Sequence, residues 1–352
     1  MKILCVLSWR PGSRWLWDYL PTEDRQVEFA YINQPKDNYP GYGKFFSYYP
    51  SYWRLGWQAY RTIYNNSHHQ LYDVIVTWEA NTALPLAFLR NLNSHLMPPL
   101  VVLNFVLKGR PVFDFLPLVR YAMRSVDYIT CLSKAEIEHY AKVLKYPADR
   151  CIKLQGPFRD PFEDEHNKSK FGEYIFSAGR SHRDYATLVE AVRGLPIQLI
   201  INARDFNTRG IDPPPNVKIN PFVNFEVYLA MLQNARFVVV PLRPAKHASG
   251  ETFMMQAMTA RKAVIASRTF STAEIIEPGV NGLLVPPGDI NALRLAIQDL
   301  LKHPEKARQL GIIARQHYDE RWSFPVTAQK VDRLLQQITQ NNSSSALTKP
   351  NI

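Results

Sequence analysis

The sequence predicts an α/β protein of two Rossmann-like, doubly wound domains facing each other across a cleft, and three observations predict it. Short apolar, β-branched runs alternate with helical periodicity through both halves of the chain. Several of those runs are apolar throughout, as parallel strands are when helices cover both faces. The length, 352 residues, is too great for one small core and suits two domains of about 150 residues each. A hydrophobic share of 46% with 12% aromatic residues excludes a disordered chain.

The expected strands of the first half are Ile3–Ser8, Asp73–Trp78, Leu100–Phe105, Asp127–Leu132 and Cys151–Leu154. Those of the second half are Glu173–Ser177, Gln198–Asn202, Val217–Asn220, Phe237–Pro241, Ala263–Ala266 and Gly282–Val285. Residues 156–170, GPFRDPFEDEHNKSK, are Pro-rich, charged and weakly periodic, a linker composition. The domains are therefore placed at 1–160 and 161–322. Residues 340–352 read as a disordered tail. In such a sheet the ligand lies beyond the carboxyl ends of the strands.

Three well-separated cysteines, Cys5, Cys131 and Cys151, make no metal spacing and favour free thiols in a reducing cytoplasm. The first apolar run ends at Trp9-Arg10-Pro11 and reads as a buried strand, not a signal peptide. No run approaches the ~18 apolar residues of a membrane span. The formal charge of +11 suits an anionic membrane surface, an anionic substrate or plain solubility. Scattered basic residues and the absence of a binding motif argue against nucleic acid. Neither Gly-x-Gly-x-x-Gly nor a P-loop is present, which disfavours nicotinamide and P-loop chemistry.

Two segments carry the chemistry. After the strand ending at Ser177, Arg180 and Arg183 stand where a strand end meets a helix start. Two guanidiniums there can fork onto a diphosphate or simply be solvated loop arginines; Asp184 suits the helix cap. The segment Ser249–Asp289 packs a small-residue loop, an apolar helix, a short buried strand and a Gly/Pro-rich turn into about forty residues. The loop before Phe253 can present backbone N–H groups to phosphate oxygens.

These stretches resemble the nucleotide-sugar-binding domain of GT-B-fold retaining glycosyltransferases, glycosyltransferase family 4 (glycosyl transferases group 1). The resemblance runs through Gly179-Arg180…Arg183-Asp184-Tyr185-Ala186-Thr187-Leu188, then Asn216-Val217…Pro221-Phe222-Val223. It continues through Ala257-Met258…Val264-Ile265-Ala266-Ser267, Ala273-Glu274-Ile275-Ile276, and Asn281-Gly282…Pro287-Gly288-Asp289. Trp322-Ser323-Phe324 is similar to the element at which the chain returns to the first domain, which implies a returning helix over 323–339. Residues 170–340 carry the match; the first half matches mainly in pattern.

The resemblance implies sugar transfer from a UDP- or GDP-type nucleotide-sugar to a glycan or lipid-linked acceptor, with retention and without an essential metal or other cofactor. It implies that Arg180 and Arg183 grip the diphosphate and that Phe222 and Val223 meet the base. It places Ser249, Gly250, Thr252, Gln256 and Glu274 around the donor. The family's paired glutamates are here Ala248 and Gln256; the amide still hydrogen-bonds hydroxyls but carries no charge. Glu251 either supplies the missing carboxylate or favours the helix start electrostatically. Lys246 and His247 lie near the same loop. On the acceptor side Gly12, in Ser8–Arg14, either lets a ligand approach the backbone or makes a plain turn. Trp78-Glu79 and residues 104–108 stand at strand ends.

Residues 42–64 hold ten aromatics, and Trp53, Trp57, Tyr60 and Tyr64 share one helical face beside Arg54 and Arg61. That face is buried in its own domain, stacks on acceptor sugars, or lies on an anionic membrane; the expected location is the cytoplasm, with the inner face of the plasma membrane as the surface any attachment would use. The rival to an enzyme is a catalytically degraded GT-B protein that binds sugar, lipid or a partner, and the Ala248 and Gln256 departures are its support.

Overall fold

A computed structural model of the chain describes residues 1–10, 15–20, 24–31, 45–65, 72–92, 97–107, 116–156, 158–163, 171–221, 223–245 and 248–347. It divides into two compact units, one formed by Met1–Pro157 with Phe324–Ile352, the other by Phe158–Ser323. Each unit holds a six-stranded sheet whose neighbouring strands all run parallel.

The first sheet has the order β2-β1-β3-β4-β5-β6. Its strands are β1 (Lys2–Leu7), β2 (Gln26–Tyr31), β3 (Val74–Trp78), β4 (Leu100–Leu103), β5 (Tyr128–Cys131) and β6 (Cys151–Lys153). β1, β3 and β4 are apolar and buried along most of their length, which is why they read clearly in sequence. β2 was not expected. It is an edge strand that alternates exposed and part-buried residues, so it lacks the continuous apolar run of the others.

The second sheet has the order β12-β11-β10-β7-β8-β9. Its strands are β7 (Tyr174–Ala178), β8 (Gln198–Asn202), β9 (Val217–Asn220), β10 (Phe237–Val240), β11 (Val264–Ser267) and β12 (Leu283–Val285). The chain winds outward through β8 and β9, then returns to the other side of β7 to make β10. That reversal is the switch point at which open α/β sheets form a crevice. The helices begin where short polar side chains can accept from their free N–H groups. Ser133 accepts from Glu136, Asp184 from Thr187, Asn224 from Val227 and Asp289 from Ala292, each cap contributing about 1 kcal/mol.

Helices cover both faces of each sheet. In the second unit, Tyr185, Leu188 and Val192 close one face with Leu293 and Ile297. Met254, Met255, Ala257 and Met258 close the other with Ala314 and Tyr318. In the first unit, Ala328, Val331, Leu335 and Ile338 pack with Ile3, Cys5 and Leu7. Their helix, Phe324–Leu347, runs eight residues into the stretch read from sequence as a tail. The three cysteines are buried and free. Among the described residues, no helix is long and apolar enough to cross a membrane.

Candidate functional site

A cavity of about 370 Å³ opens at the carboxyl ends of β7 and β8 in the second unit. β7 ends at Ala178, and Gly179 turns the chain at φ 116°. A Cβ at Gly179 would collide with the Arg183 guanidinium, so glycine permits both the turn and the overlying cation. Arg183 is 6% exposed. Its Nε donates to the Ala178 carbonyl at 2.9 Å and Nη1 to the Ser181 carbonyl at 3.0 Å. The backbone bridges to Leu242 at the end of β10, while Asp184 N donates to the Pro241 carbonyl at 3.1 Å. The loop is thus pinned across the switch point.

Among the described residues, no carboxylate lies within ion-pair distance of Arg183. Burial pulls its guanidinium down from the ordinary value, and the Tyr185 and Tyr228 hydroxyls act in the opposite direction. Arginine nonetheless stays protonated, so the cavity wall carries a buried cation without a carboxylate counter-charge. Arg180 is exposed and also lines the cavity. Its carbonyl accepts from Asn207 Nδ2 at 2.8 Å.

The opposite wall is the start of the helix Glu251–Thr259. Gly250 caps it at φ 92° with no side-chain cap bond, which leaves first-turn N–H groups for a ligand. Gly250, Thr252, Phe253 and Gln256 line the cavity. The Tyr228 hydroxyl donates to Gln256 Oε1 at 2.6 Å, and burial pushes that phenol upward. Phe225 stacks on Tyr228 at 5.9 Å and 20° and is 57% exposed. Asn202, at the end of β8, is buried, lines the cavity, and has no hydrogen-bond partner for Oδ1 within the protein. Among the described residues, no aspartate or glutamate lines the cavity.

The structure therefore brings together Arg180, Arg183, Val223, Gly250, Thr252 and Gln256. Ser249 and Glu251 are buried and lie off the lining. Glu251 occupies the first helical turn, where the helix dipole favours an acid, and does not put a carboxylate on the cavity wall. Glu274 belongs to the 3-10 turn Thr272–Glu274, also off the lining. Gly12, Phe222, Lys246 and His247 lie outside the described residues. Sequence reasoning missed Asn202, Phe225 and Tyr228 as site residues. The available signals were a polar residue closing an apolar strand, and two aromatics three apart just after a helix cap. Among the described residues, no group of His, Cys, Asp or Glu could hold a metal ion.

The corresponding strand ends of the first unit are aromatic. Trp9, Trp15 and Trp78 meet edge to face, with centroids 5.5–6.4 Å apart. Just beyond β3, Glu79 has φ 68° and ψ 153°, a backbone region essentially confined to glycine; Asn104, beyond β4, has φ 51°. On the helix Phe45–Asn65, Tyr60 is buried, but Trp53, Trp57 and Tyr64 are 38%, 50% and 44% exposed. Simple burial of the whole aromatic face is thereby ruled out.

Residues 211–317 match the family model of glycosyl transferases group 1. Among curated proteins, the chain is 26% identical over 229 residues to an uncharacterized glycosyltransferase of Methanocaldococcus jannaschii, covering 60% of this chain and 58% of the relative. It is 24% identical over 217 residues to the D-rhamnosyltransferase WbpZ of Pseudomonas aeruginosa, covering 57% of each chain. The alignments thus span less than two thirds of these curated relatives. Among solved structures, sucrose-phosphate synthase from Thermosynechococcus elongatus superposes with a TM-score of 0.70 at 17% identity, over 97% of this chain and 100% of that one. Anabaena HepE in complex with UDP gives 0.65 at 17% identity, over 96% and 100%. The fold is GT-B.

Proposed function

We propose that this chain, whose residues 211–317 match the glycosyl transferases group 1 model, is a glycosyltransferase moving a sugar from a UDP- or GDP-type nucleotide-sugar to a glycan or lipid-linked acceptor. One observation carries the reading: the cavity at the switch point is walled by two arginines and a helix start, with no acidic side chain among the described residues. Such a wall suits a diphosphate. As the bond from the anomeric carbon to the phosphate oxygen breaks, negative charge grows on the departing nucleoside diphosphate. Arg180, Arg183 and the N–H groups after Gly250 stand ready to stabilise that charge. HepE, of the same fold, is described with UDP and with UDP-glucose, which supports a uridine donor first.

The arginines supply charge that a divalent cation could otherwise supply, so turnover is expected to persist in EDTA. Retention is part of the proposal and is supported by the sequence resemblance alone. For the acceptor, the exposed Trp53, Trp57 and Tyr64, with exposed Arg54 and Arg61 on the same helix, suit an anionic lipid surface. Co-sedimentation with phosphatidylglycerol vesicles should fall on Trp53→Ala and Trp57→Ala together; unchanged sedimentation defeats that part of the reading.

The deciding experiment is hydrolysis and transfer with UDP-glucose, UDP-N-acetylglucosamine and GDP-mannose. Slow release of nucleoside diphosphate from at least one is expected, with Arg180→Ala lowering the rate about 10- to 100-fold. Absence of turnover, together with unchanged nucleotide binding in Arg180→Ala, would favour a binding protein that has lost catalysis.

A further inference from the structure

We infer that Asn202 reads the nucleobase, its Oδ1 accepting a hydrogen bond from the ring N–H of a lactam base, uracil or guanine. The inference rests on the nucleotide-sugar reading above and assigns a role to a residue that reading does not use. Asn202 is 3% exposed, lines the cavity, and leaves Oδ1 without a protein donor. A buried acceptor left in this state is unsatisfied, so a ligand that supplies a donor gains affinity there.

The ligand group must carry a hydrogen. Diphosphate oxygens are acceptors and cannot satisfy Oδ1. Sheet order locates the group: β8 lies between β7, which leads into the arginine loop, and β9, after which Val223 and Phe225 line the same cavity. Phosphates drawn to Arg180 and Arg183 therefore leave the base to extend past Asn202 toward Val223. There the Phe225–Tyr228 stack offers a flat apolar surface, suited to an aromatic ring. Gln256 Oε1 is already engaged by Tyr228 at 2.6 Å, which makes Asn202 Oδ1 the more open amide acceptor. Uracil N3–H and guanine N1–H each adjoin a carbonyl, so the amide can accept from the ring and donate Nδ2 to that oxygen.

The test is a binding cycle by isothermal titration on the full chain. Wild type and Asn202→Ala are titrated with the better bound of UDP and GDP, with its N3- or N1-methylated form, and with inorganic pyrophosphate. Wild type should lose about tenfold on methylation. Asn202→Ala should bind the parent about tenfold more weakly, bind both forms within twofold, and leave pyrophosphate affinity and the ligand-free melting temperature unchanged. A methylation penalty that persists in the variant overturns the inference, as does an equal loss toward pyrophosphate or a melting temperature lowered by several degrees. A loss confined to nucleotide-sugars, with the diphosphate unaffected, reassigns Oδ1 to a sugar hydroxyl and also overturns it. Wild type that binds neither UDP nor GDP defeats the nucleotide reading itself.

Discussion

The two sheets have closely related windings, yet their carboxyl ends are finished in opposite ways. At the β7–β10 switch point, Gly179 and Gly250 adopt positive φ, and both line a cavity with arginines on its wall. At the β1–β3 switch point, Trp9, Trp15 and Trp78 pack on one another above a core that includes Leu16 and Trp17. The difference shows that the winding supplies only the location. On the proposed reading, glycine and a buried cation make one end an anion receptor, whereas at the other end large rings pack against one another.

The sharpest way to break this comparison is to put a side chain where the receptor needs none. In Gly179→Ala the new Cβ meets the Arg183 guanidinium, and φ 116° is strained for alanine. Loss of UDP affinity of about 100-fold, near 2.7 kcal/mol, is expected. Gly210→Ala is the control: its φ of 78° is also positive, but a Cβ there meets nothing within 4 Å. It should cost about 1 kcal/mol of stability through backbone strain alone and leave UDP affinity intact. Equal effects of the two on titration with UDP would remove steric control of Arg183 from the explanation.

The opposite end is probed by Trp78→Ala. Removing a half-buried indole that contacts two others should destabilise the first unit by about 2 kcal/mol. It should raise the acceptor KM while leaving UDP affinity unchanged. An affinity for UDP that falls in step with stability would mean that the two ends do not act separately.

How much of this contrast could be read from sequence depended on the kind of signal. Buried parallel strands announce themselves through continuous apolar runs, so eleven strands were legible and the edge strand Gln26–Tyr31 was not. Arg180 and Arg183 were legible because charge beside a strand end is unusual. Their different fates were not: Arg183 turns inward only because Gly179 leaves room and two carbonyls accept from it. Glu251 was ambiguous for the converse reason. Its position in the chain suited a ligand, but helical geometry carries its side chain off the cavity wall. Asn202 was hidden because an unpartnered acceptor is a property of surroundings that sequence does not display.

A second buried cation in the same unit sharpens what the cavity does for Arg183. Lys262, in the turn before β11, is 2% exposed and lies off the cavity; burial lowers its amine from 10.5 to about 8. Below pH 8 the folded and unfolded chains both hold this proton, and the cost of burying the charge is fully present. Between pH 8 and 10.5 the folded chain has released the proton that the unfolded chain retains, so folded stability rises with pH across that window. Lys262→Met removes the titration. Relative to wild type, the variant should lose stability between pH 7 and pH 10, because it lacks the gain wild type makes across that window, read as urea midpoints at both pH values. UDP affinity should not change, because Lys262 faces no ligand. Arg183→Met differs on both counts: its loss removes the anion's partner and should abolish UDP binding. On the proposed contrast, a buried cation in this unit serves function only where it faces a cavity that an anion can enter, and a pH-independent Lys262→Met effect would show that Lys262 is not the buried, titrating cation the contrast needs.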